Sequence, residues 1–218
     1  MNVKLISITK PVEKSIKKLS SEELMAFVAR VSNPSNQMNT ETSSKLLGYC
    51  AKNEHWSVFE HVHFTVEIKT SRAIAAQILR HRSAVFQEFS QRYAEAVDFE
   101  TYPARRQDNK NRQNSIDDMP EEDKEWFERQ QKRLQQEAMA EYKEALRRGI
   151  AKEQARFLLP LSTQTTLYMT NNVRNWIHYI DLRTKNGTQL EHKEIAEEIK
   201  KIFISEFPAI STAKGWSA

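Results

Sequence analysis

Residues 62–82 read VHFTVEIKTSRAIAAQILRHR and encode a strand followed closely by a helix. Over residues 62–69 apolar side chains alternate strictly with polar ones, which is the period of a strand with one buried face. Residues 71–79 predict a helix, and this helix delivers Arg80, His81 and Arg82 at its C-terminal end. Cations interact favourably with the carbonyl end of a helix dipole and remain available to a ligand there.

The rest of the chain predicts further strands and helices. We expect strands over residues 3–9 and 165–170, and helices over residues 20–31, 40–53, 120–148, 152–159 and 189–207. A further helix should be capped by Asn171 or Asn172 and be followed by Arg183. The segment 101–118, rich in Arg, Gln, Asn and Asp, predicts a surface loop or a mobile lid. On the helix over residues 120–148 the predicted buried stripe is Phe127, Leu134, Ala138, Tyr142 and Ala145.

Composition limits the class of protein. The chain has 218 residues and no linker rich in Gly, Ser and Pro, so we predict one domain of mixed α and β structure over residues 1–218. A net charge of +4 fits anionic ligands but falls short of a dedicated nucleic-acid-binding protein. No stretch approaches the ~18 apolar residues of a membrane helix, and we expect a soluble cytoplasmic protein without a membrane partner. The one cysteine, Cys50, excludes an intrachain disulfide and lies among apolar neighbours that predict a buried structural role.

The glycines exclude two common nucleotide-binding loops. The four glycines are spread too far apart for a Gly-x-Gly-x-x-Gly turn or a Gly-x-x-x-x-Gly-Lys loop. Any nucleotide must therefore be held by side chains, and a guanidinium suits this because its planar donors meet phosphate oxygens bidentately.

The cationic run at residues 80–82 predicts a phosphorylated ligand, because the mutual repulsion of adjacent cations is usually accepted where an anion binds. Glu88, Ser90 and Arg92 would lie on one face if their segment is extended, and could read a polar ring. Arg156 stands between apolar residues, where an unpaired guanidinium is costly to bury. The Arg-His-Arg tripeptide and Arg156, each taken alone, are also compatible with a solvated surface.

A metal site is not predicted. His55, Glu60, His61 and His63 are close in sequence, but the chain has no Cys-x-x-Cys or His-Glu-x-x-His spacing.

Taken together, the ordered blocks resemble the flavin-dependent thymidylate synthases. The order is Arg-His-Arg, seven residues, Ser90 and then Gln-Arg-Tyr, with further blocks at residues 55–61, 155–161, 170–178 and 181–183. The chain departs from the commonest signature at Val85, where serine is frequent, and at Gln87, where asparagine is frequent.

This resemblance implies an α/β fold of the α+β type, one compact domain with a mixed, largely antiparallel sheet flanked by helices. It implies reductive methylation of dUMP to dTMP, with methylenetetrahydrofolate as carbon donor, FAD as hydride carrier and NADPH as reductant. It also implies a homotetramer with the FAD sites between subunits.

The resemblance also assigns site residues. The implied FAD contacts are Ser57, Glu60, Arg80, His81, Arg82, Glu88, Asn172, Arg174 and His178. The implied dUMP contacts are Gln77, Arg80, Glu88, Ser90, Gln91, Arg92, Arg156 and Arg183. Arg183 is the leading catalytic candidate, because a guanidinium can stabilise negative charge on the uracil ring. Two alternatives stay open: a basic nucleic-acid-binding protein, and a flavin-binding protein without turnover.

Overall fold

The computed structural model describes residues 2–95 and 98–216. The strands in these residues are β1 Asn2–Ile8, β2 His63–Ser71, β3 Val85–Glu88, β4 Arg106–Gln107, β5 Ser115–Ile116 and β6 Gln164–Asn172. The helices are α1 Ser21–Ala29, α2 Ser43–Lys52, α3 Arg72–Ile78, α4 Glu121–Arg147, α5 Lys152–Ala155, α6 Val173–Arg183, α7 Leu190–Glu206 and α8 Pro208–Ala213. Short 3₁₀ turns occupy Pro34–Asn36, Trp56–Glu60 and Arg156–Leu158.

The main sheet has four strands in the order β1-β2-β6-β3, and each neighbouring pair is antiparallel. Its centre is the nine-residue pairing of β2 with β6, from His63 opposite Asn172 to Ser71 opposite Gln164. The predicted alternation over residues 62–69 is confirmed, because Phe64, Val66 and Ile68 all face the buried side. Helices pack on that side, so the predicted α/β fold with a largely antiparallel sheet flanked by helices is confirmed.

Both central strands continue directly into a helix. The Ser71 side chain accepts a hydrogen bond from the backbone N–H of Ile74 at 3.5 Å and caps α3. The Asn172 side chain accepts one from the N–H of Asn175 at 2.8 Å and caps α6. These caps satisfy amides that a helix start leaves free. Because β2 and β6 are antiparallel, α3 and α6 begin at opposite ends of the sheet, and the end of α3 comes to lie beside α6.

Large aromatic side chains fill the core between the sheet and the helices. Phe64 stacks on Trp176 with ring centroids 4.6 Å apart, and the Trp176 indole N–H donates to the Phe64 carbonyl oxygen at 3.1 Å. Phe203 and Phe207 close the cluster from α7 and its C-terminal end. Helix α7 also packs against both α3 and α6, which brings its first turn to the ends of those helices.

Three local predictions were wrong. Strand β3 ends at Glu88 and a turn follows, so Glu88, Ser90 and Arg92 do not alternate on one extended face. The segment 101–118 carries the short paired strands β4 and β5, so it is not a loop throughout. On α4, Phe127 is 38% and Leu134 is 52% exposed, because the helix joins its apolar cluster only through its C-terminal half.

Candidate functional site

A row of four rings lies where the end of α3 meets α6 and α7. The His178 and His81 ring centroids are 5.8 Å apart, and those of His81 and Tyr179 are 5.1 Å apart. The Tyr179 hydroxyl is hydrogen-bonded to Nε2 of His192 at 3.1 Å. Arg183 lies one turn beyond Tyr179 as the last residue of α6. Its Nε is buried and has no hydrogen-bond partner among residues 2–95 and 98–216.

Burial keeps His81, Tyr179 and His192 uncharged. It lowers the pKa of His81 to about 4, with smaller contributions from His178 and the cationic Arg183. Burial likewise lowers the pKa of His192 to about 4, helped by Arg183 and His81. Burial raises the pKa of the Tyr179 hydroxyl above its usual range. The site therefore places one guanidinium beside neutral rings, which suits a planar ligand that develops negative charge.

Arg80, His81 and Arg82 were predicted as three cationic or cationisable side chains for one anion, and they differ in burial. His81 is buried, with Nε2 at 2.9 Å from the Ser83 hydroxyl. Arg80 and Arg82 are exposed, and neither side chain has an ion-pair or hydrogen-bond partner in the part of the chain that the structure describes. Any attraction for phosphate at this point therefore comes from the two arginines.

Most of the residues predicted to contact FAD are brought together at the start of α6. Arg174 donates to Glu60 from the 3₁₀ turn Trp56–Glu60, and Asn172 caps the helix between them. Asn175 donates to the Ser83 carbonyl at 3.1 Å and ties α6 to the segment after α3. Ser57 is exposed and lines a cavity of about 520 Å³ with apolar side chains of α1. The exception is Glu88, which lies at the opposite end of β3.

The residues predicted to contact dUMP fall into two groups. Gln77, Arg80 and Arg183 lie at the ends of α3 and α6. The other group is Glu88, Ser90, Gln91, Arg92 and Arg156, beyond the start of α3. Helix α3 is seven residues long and separates the groups by about 10 Å.

Two interactions organise the second group. Arg92 pairs with the Glu153 carboxylate at 3.3 Å, and Arg156 Nε donates to the Glu153 carbonyl oxygen at 3.2 Å. Gln91 is 5% exposed, and its Nε2 is buried with no partner within the described ranges. An unpartnered buried donor is costly, so this amide is available to a ligand.

The residues that hold Glu88 were not predicted from the sequence. Arg72 lies 3.3 Å from Glu88 and donates to the Phe89 carbonyl at 2.9 Å, while the Thr165 hydroxyl donates to Glu88 at 3.0 Å. A chain of polar contacts that starts at the buried Arg105–Glu191 pair and runs through Gln189 to Gln77 was not predicted either. These residues resemble ordinary helix-surface or strand residues in sequence, and we find no local pattern that would have singled them out.

The described part of the chain, 2–95 and 98–216, has no group of three or more His, Cys, Asp or Glu side chains placed to hold a metal ion. His55, His61 and His63 are all exposed. Within those ranges, none of the helices combines the length and the hydropathy that a membrane span requires.

The fold is an α/β domain with an antiparallel sheet, and its candidate site combines arginines with buried rings. The family model described as thymidylate synthase complementing protein matches residues 15–209, and the chain belongs to this family.

Two curated relatives match nearly the whole chain. The chain is 57% identical to a probable flavin-dependent thymidylate synthase of Paramecium bursaria Chlorella virus 1, over 99% of this chain and 100% of the relative. It is 52% identical to a flavin-dependent thymidylate synthase of Synechocystis sp., over 99% and 100%.

A solved structure is also similar. It is a UMP/dUMP methylase, PolB, from Streptomyces cacaoi bound with 5-Br dUMP, with a TM-score of 0.83 and 25% identity. The match covers 99% of this chain and 95% of that one.

Proposed function

We propose that this chain is a flavin-dependent thymidylate synthase that methylates dUMP to dTMP, with methylenetetrahydrofolate as carbon donor and NADPH as reductant. Family membership and the names of the relatives support the activity. The observation that carries the proposal is Arg183, a guanidinium whose buried Nε has no partner within the described ranges and which lies beside neutral rings.

The side chains present fit FAD. Its two phosphates suit Arg80 and Arg82, which are exposed and lack a partner in residues 2–95 and 98–216, and the start of α6 adds the positive end of a helix dipole. When bound, FAD would supply hydride transfer. The proposed contacts are Ser57, Glu60, Arg80, His81, Arg82, Glu88, Asn172, Arg174 and His178.

For dUMP we propose contacts from Gln77, Arg80, Glu88, Ser90, Gln91, Arg92, Arg156 and Arg183. Arg183 would donate hydrogen bonds to the uracil where negative charge develops on its carbonyl and N3 side. Tyr179 and His192, both buried and neutral, lie beside that guanidinium, and its Nε is buried as well.

A protein nucleophile is not required by this arrangement. Cys50 is 4% exposed, and burial raises the pKa of its thiol. A buried, protonated thiol is a poor nucleophile, which is consistent with a reaction that does not depend on cysteine attack.

We propose that four copies assemble and that the FAD sites lie between them. Two features support this: the two groups of dUMP residues are separated within one chain, and α4 leaves Trp126, Phe127 and Leu134 exposed. We further propose that residues 1–218 act as one domain. A cytoplasmic location is also proposed and is supported by the single cysteine.

The test uses the purified protein and two measurements. The first is the absorption spectrum of bound flavin, and the second is the release of tritium from dUMP labelled at C5. We expect a yellow protein, and Arg183→Ala should lower turnover by about 10²- to 10³-fold while flavin stays bound. Arg147→Ala is the matched control, because Arg147 is likewise the last residue of a helix. A protein that takes up no FAD and ignores dUMP would refute the proposal. Unchanged turnover in Arg183→Ala would remove Arg183 from its catalytic role.

A further inference from the structure

A buried ion pair joins the segment before β4 to the start of α7. Arg105 lies 2.5 Å from Glu191, and their side chains are 12% and 4% exposed. Arg105 Nε also donates to the Ser115 hydroxyl at 2.8 Å, which fixes the guanidinium from a second side. A pair this buried needs further hydrogen bonds to offset the loss of hydration. The second carboxylate oxygen of Glu191 is not used by Arg105 and can accept a hydrogen bond from a neighbour.

That neighbour begins a chain of two amides. Gln189 Nε2 donates to the second carboxylate oxygen of Glu191 at 2.9 Å. Gln77 Nε2 in turn donates to Gln189 Oε1 at 2.5 Å. The chain therefore runs from the buried ion pair to a residue that we have proposed as a dUMP contact.

The order of donors and acceptors along this chain is set by its charged end. A carboxylate paired with Arg105 can only accept, so Gln189 must turn its NH₂ group towards Glu191. The carbonyl oxygen of Gln189 then faces Gln77. Because this oxygen can only accept, Gln77 must donate to it from its own NH₂ group. An isolated glutamine amide can present either end to a ligand, whereas Gln189 holds the NH₂ group of Gln77, which leaves Oε1 as the free acceptor beside one remaining N–H donor.

We propose that Arg105, Glu191 and Gln189 are positioning residues that hold Gln77 Oε1 as the acceptor for a hydrogen-bond donor of dUMP. The inference rests on the proposed function, and it concerns which end of the Gln77 amide contacts dUMP. Among the groups of dUMP, the donors are the uracil N3–H and the deoxyribose 3′-hydroxyl. Either group can donate a hydrogen bond to Gln77 Oε1, and substrate analogues that lack one of the two donors distinguish them.

Gln189→Ala is the most informative variant. Gln189 is exposed, so its truncation should leave folding intact and leave the Arg105–Glu191 pair in place. We expect dUMP to bind the flavin-loaded protein about two- to tenfold more weakly by calorimetry, because the Gln77 amide is no longer held in one orientation and the substrate must order it. KM for dUMP should rise by a similar factor, with kcat within about twofold and with unchanged flavin content.

A double variant tests whether Gln189 acts through Gln77. In the Gln77→Ala background, Gln189→Ala should weaken dUMP binding no further, because the amide it orients is gone. Wild-type protein should also bind either N3-methyl-dUMP or 2′,3′-dideoxyuridine monophosphate more weakly than dUMP. That penalty should disappear in Gln189→Ala and so identify the donor.

Glu191→Gln is a second variant that tests the same inference. It keeps the side-chain volume but offers an NH₂ group, which can reverse the order of donors and acceptors from residue 191 through Gln189 to Gln77. The matched control is Glu137→Gln, which breaks an exposed Arg133–Glu137 pair on α4 and should leave dUMP binding unchanged.

Unchanged dUMP affinity in Gln189→Ala, or an equal loss in the presence and absence of Gln77, would overturn the inference. A wild-type protein that binds no dUMP would instead refute the proposed function.

Discussion

Replacing His192 by glutamine tests whether the buried rings beside Arg183 resist protonation. His192 is fully buried, and its Nε2 is hydrogen-bonded to the Tyr179 hydroxyl at 3.1 Å. Glutamine cannot become charged, but its carbonyl oxygen can still accept from that hydroxyl. The variant therefore removes one titrating group and can keep the hydrogen bond.

The expected effect follows from the pKa of His192, which burial lowers from 6.5 to about 4. As the pH falls below 6.5, the unfolded chain takes up a proton at this histidine while the folded chain does not. The free energy of unfolding therefore decreases as the pH falls. For these two pKa values the decrease is about 2 kcal/mol between pH 7 and pH 5, and it approaches about 3.4 kcal/mol below pH 4.

The assay is urea unfolding at fixed protein concentration at pH 7, 6 and 5, compared within each protein so that any packing cost of glutamine cancels. The decrease from pH 7 to pH 5 should be smaller in His192→Gln by about 2 kcal/mol. His81 has the same shift and stays in the variant, so part of the pH dependence should remain.

His63→Gln is the control, because it removes a histidine that is exposed on β2 and leaves the buried rings beside Arg183 in place. An identical decrease in His192→Gln and wild type would show that His192 is protonated in the folded protein and would refute the reasoning.

Two further substitutions test the packing around the site. Arg72→Leu removes the cation 3.3 Å from Glu88, and we expect about tenfold weaker dUMP binding by calorimetry, the effect of a lost hydrogen bond to a charged group. Equal affinity in the variant would mean that Thr165 alone holds Glu88. Tyr179→Phe leaves Nε2 of His192 without its partner, and should lower the free energy of unfolding by about 1–3 kcal/mol. At about 2–4 °C per kcal/mol, calorimetry should show a clear fall in Tm, and a Tm within 1 °C of wild type would contradict the expectation.

The central strands, the helices that follow them and the family could be predicted from the sequence. The alternation over residues 62–69 requires one buried face, and an asparagine cap at residue 171 or 172 predicts where α6 begins. The structure selects Asn172 as that cap. These signals are local, since they depend on the period of a strand or helix and on the residue at its end. They also placed Arg80 and Arg183 at helix ends, as the structure has them.

Tertiary structure alone decided the state of each site residue. The tripeptide at residues 80–82 has three side chains that can carry charge, but burial against Tyr179 makes His81 neutral and leaves two exposed arginines. Gln77 and Gln189 are 112 residues apart, and only the packing of α7 on α3 brings their amides to hydrogen-bond distance. Burial and long-range pairing depend on how the elements pack together, and a pattern read along one element carries no information about its neighbours.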